Sequence, residues 1–438
     1  MTRSSRFLLV LTALLWTVAK ADGVREVRDA DELRAAVADA SRGSTIRLLA
    51  GDYALDRPLQ VPDGVTLEGV GVMELRDGRA AGFRAGPVSL LRAATKFDGN
   101  ILTLGDGVTL RGLSILDQVP ERGAPMRSGN VVAVVSRTAH DRLAARIEDC
   151  EIVGGAASGV SPGGPTGHGI VVLTLSPALG QPGQAHEQAQ LSLKVSRSVI
   201  SMRGLSLFIL NFARDSRIEA GISASQLTAI VATGGASRPQ LVTGSSVALR
   251  SSGNLYRPSP GEVPDFAWMV FGGSSPHLNA PDIPGARDNL LTMASTGDRI
   301  EGFRVGILAA GARRRIEGSG PLQDNRAELE LRDLTIVAPD ASAVGVSLHG
   351  ALSGTGMDDG AEFPTGERNV LKVRMSSVRF DGTPGRNRYS ATFGDAPDDP
   401  TASTNRLVIE GTAAGFANAN PGFAPPPPAS FGELDERR

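Results

Sequence analysis

The chain has 438 residues, with 45 basic and 47 acidic side chains, one cysteine, 53 glycines and 4 % aromatic residues. This balance argues against a nucleic-acid partner, and one cysteine excludes an internal disulfide framework. The length suits two or three ordinary domains, or one solenoid that grows along a single axis.

The chain opens with Arg3 and Arg6 ahead of an apolar run from Phe7 to Ala19. Ala19-Lys20-Ala21 has the small-x-small form of a cleavage site, so residues 1–21 are expected to be a secretory signal peptide. Its removal takes three basic residues and leaves a net charge of about −5. No later stretch is long and apolar enough to cross a membrane.

Residues 22–43 are expected to form an N-terminal capping region. A helix is predicted over Asp31 to Arg42, capped by Asp29 or Asp31 and stopped by Gly43, with Leu33, Ala36, Val37 and Ala40 as its apolar stripe. Strand signals follow at Thr45–Leu49, Leu59–Val61 and Val65–Gly69.

From there a short phrase recurs, with apolar residues on one face of an extended segment and a turn before the next. Leu110-Arg111-Gly112-Leu113-Ser114-Ile115 and Ile147-Glu148-Asp149-Cys150-Glu151-Ile152 are two copies. Leu331-Arg332-Asp333-Leu334-Thr335-Ile336 and Met375-Ser376-Ser377-Val378-Arg379-Phe380 are two more. A unit that cannot bury its apolar face alone must stack on copies of itself. The prediction is an all-β fold, a single-stranded parallel β-helix over residues 44–415. Cys150 is expected to pack inward as an inert thiol, and Asn100, Asn130, Asn289, Asn369 and Asn405 to satisfy backbone groups at corners.

The stretches "DADELRAAVADASRGSTIRLLAGDYAL" and "VPDGVTLEGVG" make the chain resemble the pectate-lyase superfamily. That resemblance implies a right-handed β-helix with a capping helix before the first coil. Gly167-His168-Gly169 resembles the histidine motif of polygalacturonases, which works with three aspartates and a downstream Arg-x-Lys. Here Arg217-Ile218-Glu219 puts glutamate where lysine would stand.

Gly/Pro-rich insertions interrupt the phrase at Pro120–Ser128, Gly154–Gly167, Pro177–Glu187, Ser251–Asn289 and Gly350–Arg368. Long loops on a rigid scaffold commonly carry binding sites. The loop over 251–289 gathers Tyr256, Arg257, Asp265, Phe266, Trp268 and His277. Aromatic faces stack on sugar rings and an arginine fork pairs with a carboxylate. One reading makes His277 a base, Arg257 the partner of a uronate and Tyr256 an acid, with Trp268, Phe266, Asp265 and His168 binding substrate. The other makes these aromatics a plug that fastens the loop to the coil.

Asp358, Asp359 and Glu362 form one acidic loop and Asp395, Asp398 and Asp399 another; clustered carboxylates suit a hard cation, so each loop is a weak calcium candidate or, without the spacing of a defined motif, a solvated loop. No other cofactor is expected. Arg313-Arg314-Arg315 is a basic corner able to meet a polyanion, stay solvated or pair with neighbours such as Glu317. Residues 416–438 are expected to be a Pro-rich disordered tail.

These features predict a monomeric, periplasmic or secreted protein that meets a polysaccharide or envelope glycan. It would bind an acidic polysaccharide and cleave or modify it as a lyase or epimerase. The alternative is a non-enzymatic envelope or surface adhesion protein.

Overall fold

A computed structural model describes residues 23–94, 99–117, 129–136, 138–154, 159–161, 164–174, 187–237, 241–259, 265–275, 285–314, 320–340, 343–353, 366–381, 386–393, 404–414 and 417–418. The expected signal peptide, both acidic loops, His277, Arg315 and almost all of the Pro-rich tail lie outside these residues.

Alternation of apolar and polar residues gives each strand an inner and an outer side. In Gln190–Ser196 and Ser246–Ser252 every second residue is buried. Each such strand reaches a tight corner, continues as a short strand, bends into a third, and returns one coil further on. Face 1 of the coil stacks Arg142–Glu148, Gln190–Ser196, Arg217–Ser223, Ser246–Ser252, Leu290–Thr296, Arg326–Arg332 and Val370–Asp381 in parallel register. Face 2 stacks Glu151–Gly154, Val199–Met202, Gln226–Leu227, Leu255–Tyr256, Arg299–Glu301 and Thr335–Val337. Face 3 is an 11-stranded parallel sheet running from Leu59–Val61 to Ala417–Asn418. The fold is a right-handed parallel β-helix, the hand that parallel crossovers take.

The capping helix runs over Ala30–Asp39, three residues shorter than predicted at its C-terminus. Asp29 caps it, accepting from the Glu32 backbone N–H at 2.8 Å. Ser41 and Ser44 compete for the backbone beyond it, the Ser41 N–H donating to Ser44 Oγ at 3.1 Å. Leu33, Ala36 and Val37 are buried in the coil interior, where they cover its first rung.

Two corners are held by polar ladders inside the wall. Before face 1, each corner N–H donates to a side-chain oxygen of the next coil. Ala189 donates to Ser216, Ser245 to Asn289, Asn289 to Asn325, Asn325 to Asn369 and Asn369 to Asn405. The asparagine amides also chain, at 2.9, 3.1 and 3.0 Å, and each donates to a carbonyl within the wall. The predicted structural role of Asn289, Asn369 and Asn405 holds, and Asn325 completes the row. Room for it comes from glycine: a Cβ on Gly235 would sit 2.2 Å from the Asn289 side chain, and one on Gly273 2.4 Å from Asn325.

The corner after face 1 uses the same device. Cys150 donates to Ser198, Ser198 to Ser225, Ser225 to Asn254 and Asn254 to Asp298. Burial pushes the Cys150 thiol up to about 12, so it stays protonated. In folded protein at neutral pH it should not react with a thiol reagent, and should react on unfolding. Fast labelling of the folded state would contradict this.

Asp298 is buried, and desolvation raises its pKa, against hydrogen bonds from Ser295 and Asn254. A raised carboxyl pKa favours the protonated folded form. Its cost is absent below the unfolded carboxyl range and grows as pH rises through the folded pKa. One coil earlier the same place holds Asn254, whose amide donates to Ser251 Oγ at 2.9 Å. Asp298→Asn should therefore match the wild type in acid and exceed its stability at neutral pH. Denaturant midpoints across pH check this, and an equal difference at every pH would contradict it.

Candidate functional site

The structure separates the residues that the sequence grouped. Tyr256 and Trp268 lie inside the coil, both fully buried. Their rings meet edge to face at 5.1 Å, and Tyr256 Oη lies 2.7 Å from Ser251 Oγ. No ring face is open to a sugar, and burial holds the Tyr256 phenol well above its usual value. The predicted loop is interrupted by the strands Leu255–Tyr256 and Phe266–Ser275, so its aromatics belong to the wall. Phe266 is half-buried against the outer side of face 3.

Arg257 and Asp265 remain at the surface. Asp265 pairs with Arg304 at 3.1 Å, not with Arg257. His168 is buried, with its ring 4.7 Å from Phe208. Burial drives its pKa down to about 3, so the ring is neutral at physiological pH. Its backbone N–H donates to Asn130 Oδ1 at 3.3 Å, and Asn130 in turn donates to Asn100. The Gly-His-Gly segment is thus a corner rung.

The described strands of face 3 are largely buried rather than open to solvent. Several are buried on both sides: Ile230–Ala236 is buried throughout, and so are nine of the ten residues of Val305–Arg314. The predicted basic corner is corrected here. Arg313 is buried, its guanidinium over the Phe271 ring at 5.0 Å. Ser347 Oγ lies 2.7 Å from His349 Nε2, but both residues are sealed from solvent.

The outer side of face 1 is different. Parallel register turns each outward position into a column along the solenoid axis. One column reads Arg146, Lys194, Gly221, Arg250, Ala294, Glu330, Arg374, Glu410. Its second half is neutralised: Glu410 accepts from Lys372 and Arg374 at 2.5 and 2.7 Å, and Glu330 pairs with Arg332. Those two cations hold the Glu410 carboxyl below its usual value. Its first half is not neutralised. Arg146, Lys194 and Arg250 are exposed, and no carboxylate pairs with them among the described residues.

The neighbouring column contrasts with this one. Glu26, Arg47, Glu68, Arg111 and Glu148 alternate in sign, with pairs at 3.8, 2.9 and 3.0 Å. There the charges satisfy one another.

Beside Arg250 the face dips into a depression of about 260 Å³. Ala248, Thr292 and Ala294 form its floor, and Glu328, Glu330 and Lys372 stand on its far side. Small side chains between long charged ones produce this relief. Coils rise by roughly 4.8 Å, so Lys194 lies about one rise from Arg146 and Arg250 about two rises further. The row suits an extended polyanion laid along the axis. Sequence reading missed it because the three cations fall at unequal intervals. The available signal was that each occupies the same outward place before a corner, in Ala145-Arg146-Ile147, Leu193-Lys194-Val195 and Leu249-Arg250-Ser251.

Comparison with protein-family models and with curated proteins finds no match. Among solved structures, the chain is similar to a polygalacturonase from Erwinia carotovora, with 10 % identity over 85 % of this chain and 96 % of that one, and a TM-score of 0.40. It is similar to the A-module of an Azotobacter vinelandii mannuronan C-5 epimerase, with 12 % identity over 90 % and 95 % of the two chains, and a TM-score of 0.34. It is also similar to a tailspike from an Acinetobacter baumannii bacteriophage, a capsular polysaccharide depolymerase, with 8 % identity over 85 % and 62 %, and a TM-score of 0.29. The fold itself rests on the coil geometry described above.

Proposed function

We propose that this is an exported β-helix protein that binds an acidic polysaccharide along face 1, over Arg146, Lys194 and Arg250. The observation that carries this reading is the row of exposed cations without carboxylate partners among the described residues, beside a floor of small residues. An acidic glycan supplies evenly spaced anions on an extended chain, which matches charges fixed at coil intervals. Export rests on the leader-like residues 1–21.

Binding is favoured over cleavage by where three of the described residues expected at the site lie. Tyr256 is inside the coil, His168 is buried and neutral, and Asp265 is tied to Arg304. A role in envelope or surface adhesion fits the same face, because adhesion needs a bound glycan and no chemistry.

The test incubates the protein with a panel of polyuronides, with and without calcium. Binding is read on an array, and cleavage from the absorbance of unsaturated uronate ends. The expected result is binding without growth of absorbance. Growth that disappears in His277→Ala would establish a lyase. Absence of binding to every polyuronide would overturn the proposal.

A further inference from the structure

A β-hairpin that the repeat does not explain crosses the outside of the solenoid. Its strands are Met73–Arg76 and Arg79–Phe83, joined by Asp77 and Gly78, both at positive φ. Asp-Gly with that backbone is a tight hairpin turn. The hairpin leaves the second coil beside the corner residue Gly112, to whose carbonyl Gly71 N donates at 3.0 Å. Gly71 admits no side chain there: a Cβ would sit 2.6 Å from the Phe83 ring and 2.9 Å from the Gly112 carbonyl oxygen.

The hairpin then runs over later corners. Met73 and Ala80, with Phe83 against them, bury Val199 on the outside of face 2. Ala80 N donates to the carbonyl of Ala224 at 2.9 Å. Arg79 donates to the carbonyls of Gly253 and Gly297 at 2.9 and 3.1 Å. These acceptors are the positive-φ residues of three successive corners. Gly112, Asp149, Arg197, Ala224, Gly253 and Gly297 follow one another along the corner ladder. Five coil rises span about 24 Å, and the seven steps from Gly71 to Gly78 reach about the same distance when extended.

We infer that this hairpin is a staple that makes the coils from Gly112 to Gly297 open as one unit. A solenoid otherwise has only nearest-neighbour contacts, so coils are free to open one at a time. The hairpin adds ties between residues 174 and 218 positions apart in sequence. Opening the corner at Gly253 or Gly297 first requires release of Arg79. Arg250 lies on the strand Ser246–Ser252 that ends at the Gly253 corner, so the staple also steadies the coils that carry the cation row.

Hydrogen exchange in low denaturant, read by peptide mass spectrometry, tests this with two variants. Arg79→Ala removes the bonds to Gly253 and Gly297. Gly78→Ala strains the turn at a φ of +76°, and its Cβ meets nothing within 4 Å. In the wild type the corner amides of Asp149, Arg197, Ala224, Gly253 and Gly297 should share one opening rate. In both variants those of Ala224, Gly253 and Gly297 should exchange at least tenfold faster, while Asp333, one coil beyond the staple, is unchanged. Unchanged corners in both variants would overturn the inference. So would equal acceleration at Asp333, which would mark a general loss of stability.

Discussion

Asn325→Leu should lower the unfolding free energy by about 3–5 kcal/mol, read as a shift of the denaturant midpoint. The side chain is fully buried and works in both directions. Its Oδ1 receives Asn289 N–H and Nδ2–H, and its Nδ2 donates to Ala286 O and Asn369 Oδ1. Leucine leaves two donors of Asn289 and the carbonyl of Ala286 without partners, each costing about 1–3 kcal/mol. Partial relaxation brings the sum to the stated range. Asn325→Ser should cost much less, because Ser245 already receives a corner N–H through a hydroxyl on the same ladder. A leucine variant as stable as the serine variant would mean that the ladder contributes little.

The second large effect concerns binding. Reversing the row with Arg146→Glu, Lys194→Glu and Arg250→Glu together should weaken polyuronide binding at least hundredfold. A cation beside an anionic surface contributes about 1 kcal/mol, so three reversals cost at least about 3 kcal/mol. Stability should hardly change, because these exposed side chains make no described ion pair to lose. The control reverses Arg47 and Arg111, which carboxylates already neutralise in the neighbouring column. It should leave binding within a few-fold. Equal losses from both sets would mean that net charge alone governs binding.

The fold was legible because alternation with period two needs only local sequence. The asparagine corners were legible for the same reason, each standing just before an apolar strand. Asn325 was overlooked although it stands in the same place, just before Arg326–Arg332. The site was less legible. Pro258 and Pro260 mark a loop, and Tyr256 and Trp268 were assigned to it. Proline breaks local pairing without saying which side of the wall its neighbours face. Burial of Tyr256 depends on register with Leu227 and Ile300 in adjacent coils, which no local window contains. The cation row has the same origin, since Arg146, Lys194 and Arg250 become neighbours only through stacking. The hairpin carries a strong local signal in Asp77-Gly78, but its antiparallel pairing lies outside the repeat.

The most direct measurement is a calorimetric titration of the protein with a polyuronide and with the same polymer after reduction of its carboxylates to alcohols, at low and at high salt. The account predicts binding of the charged polymer, weakened by salt as screening sets in, and little binding of the neutral one. Equal affinity for both polymers, indifferent to salt, would contradict a charged recognition face.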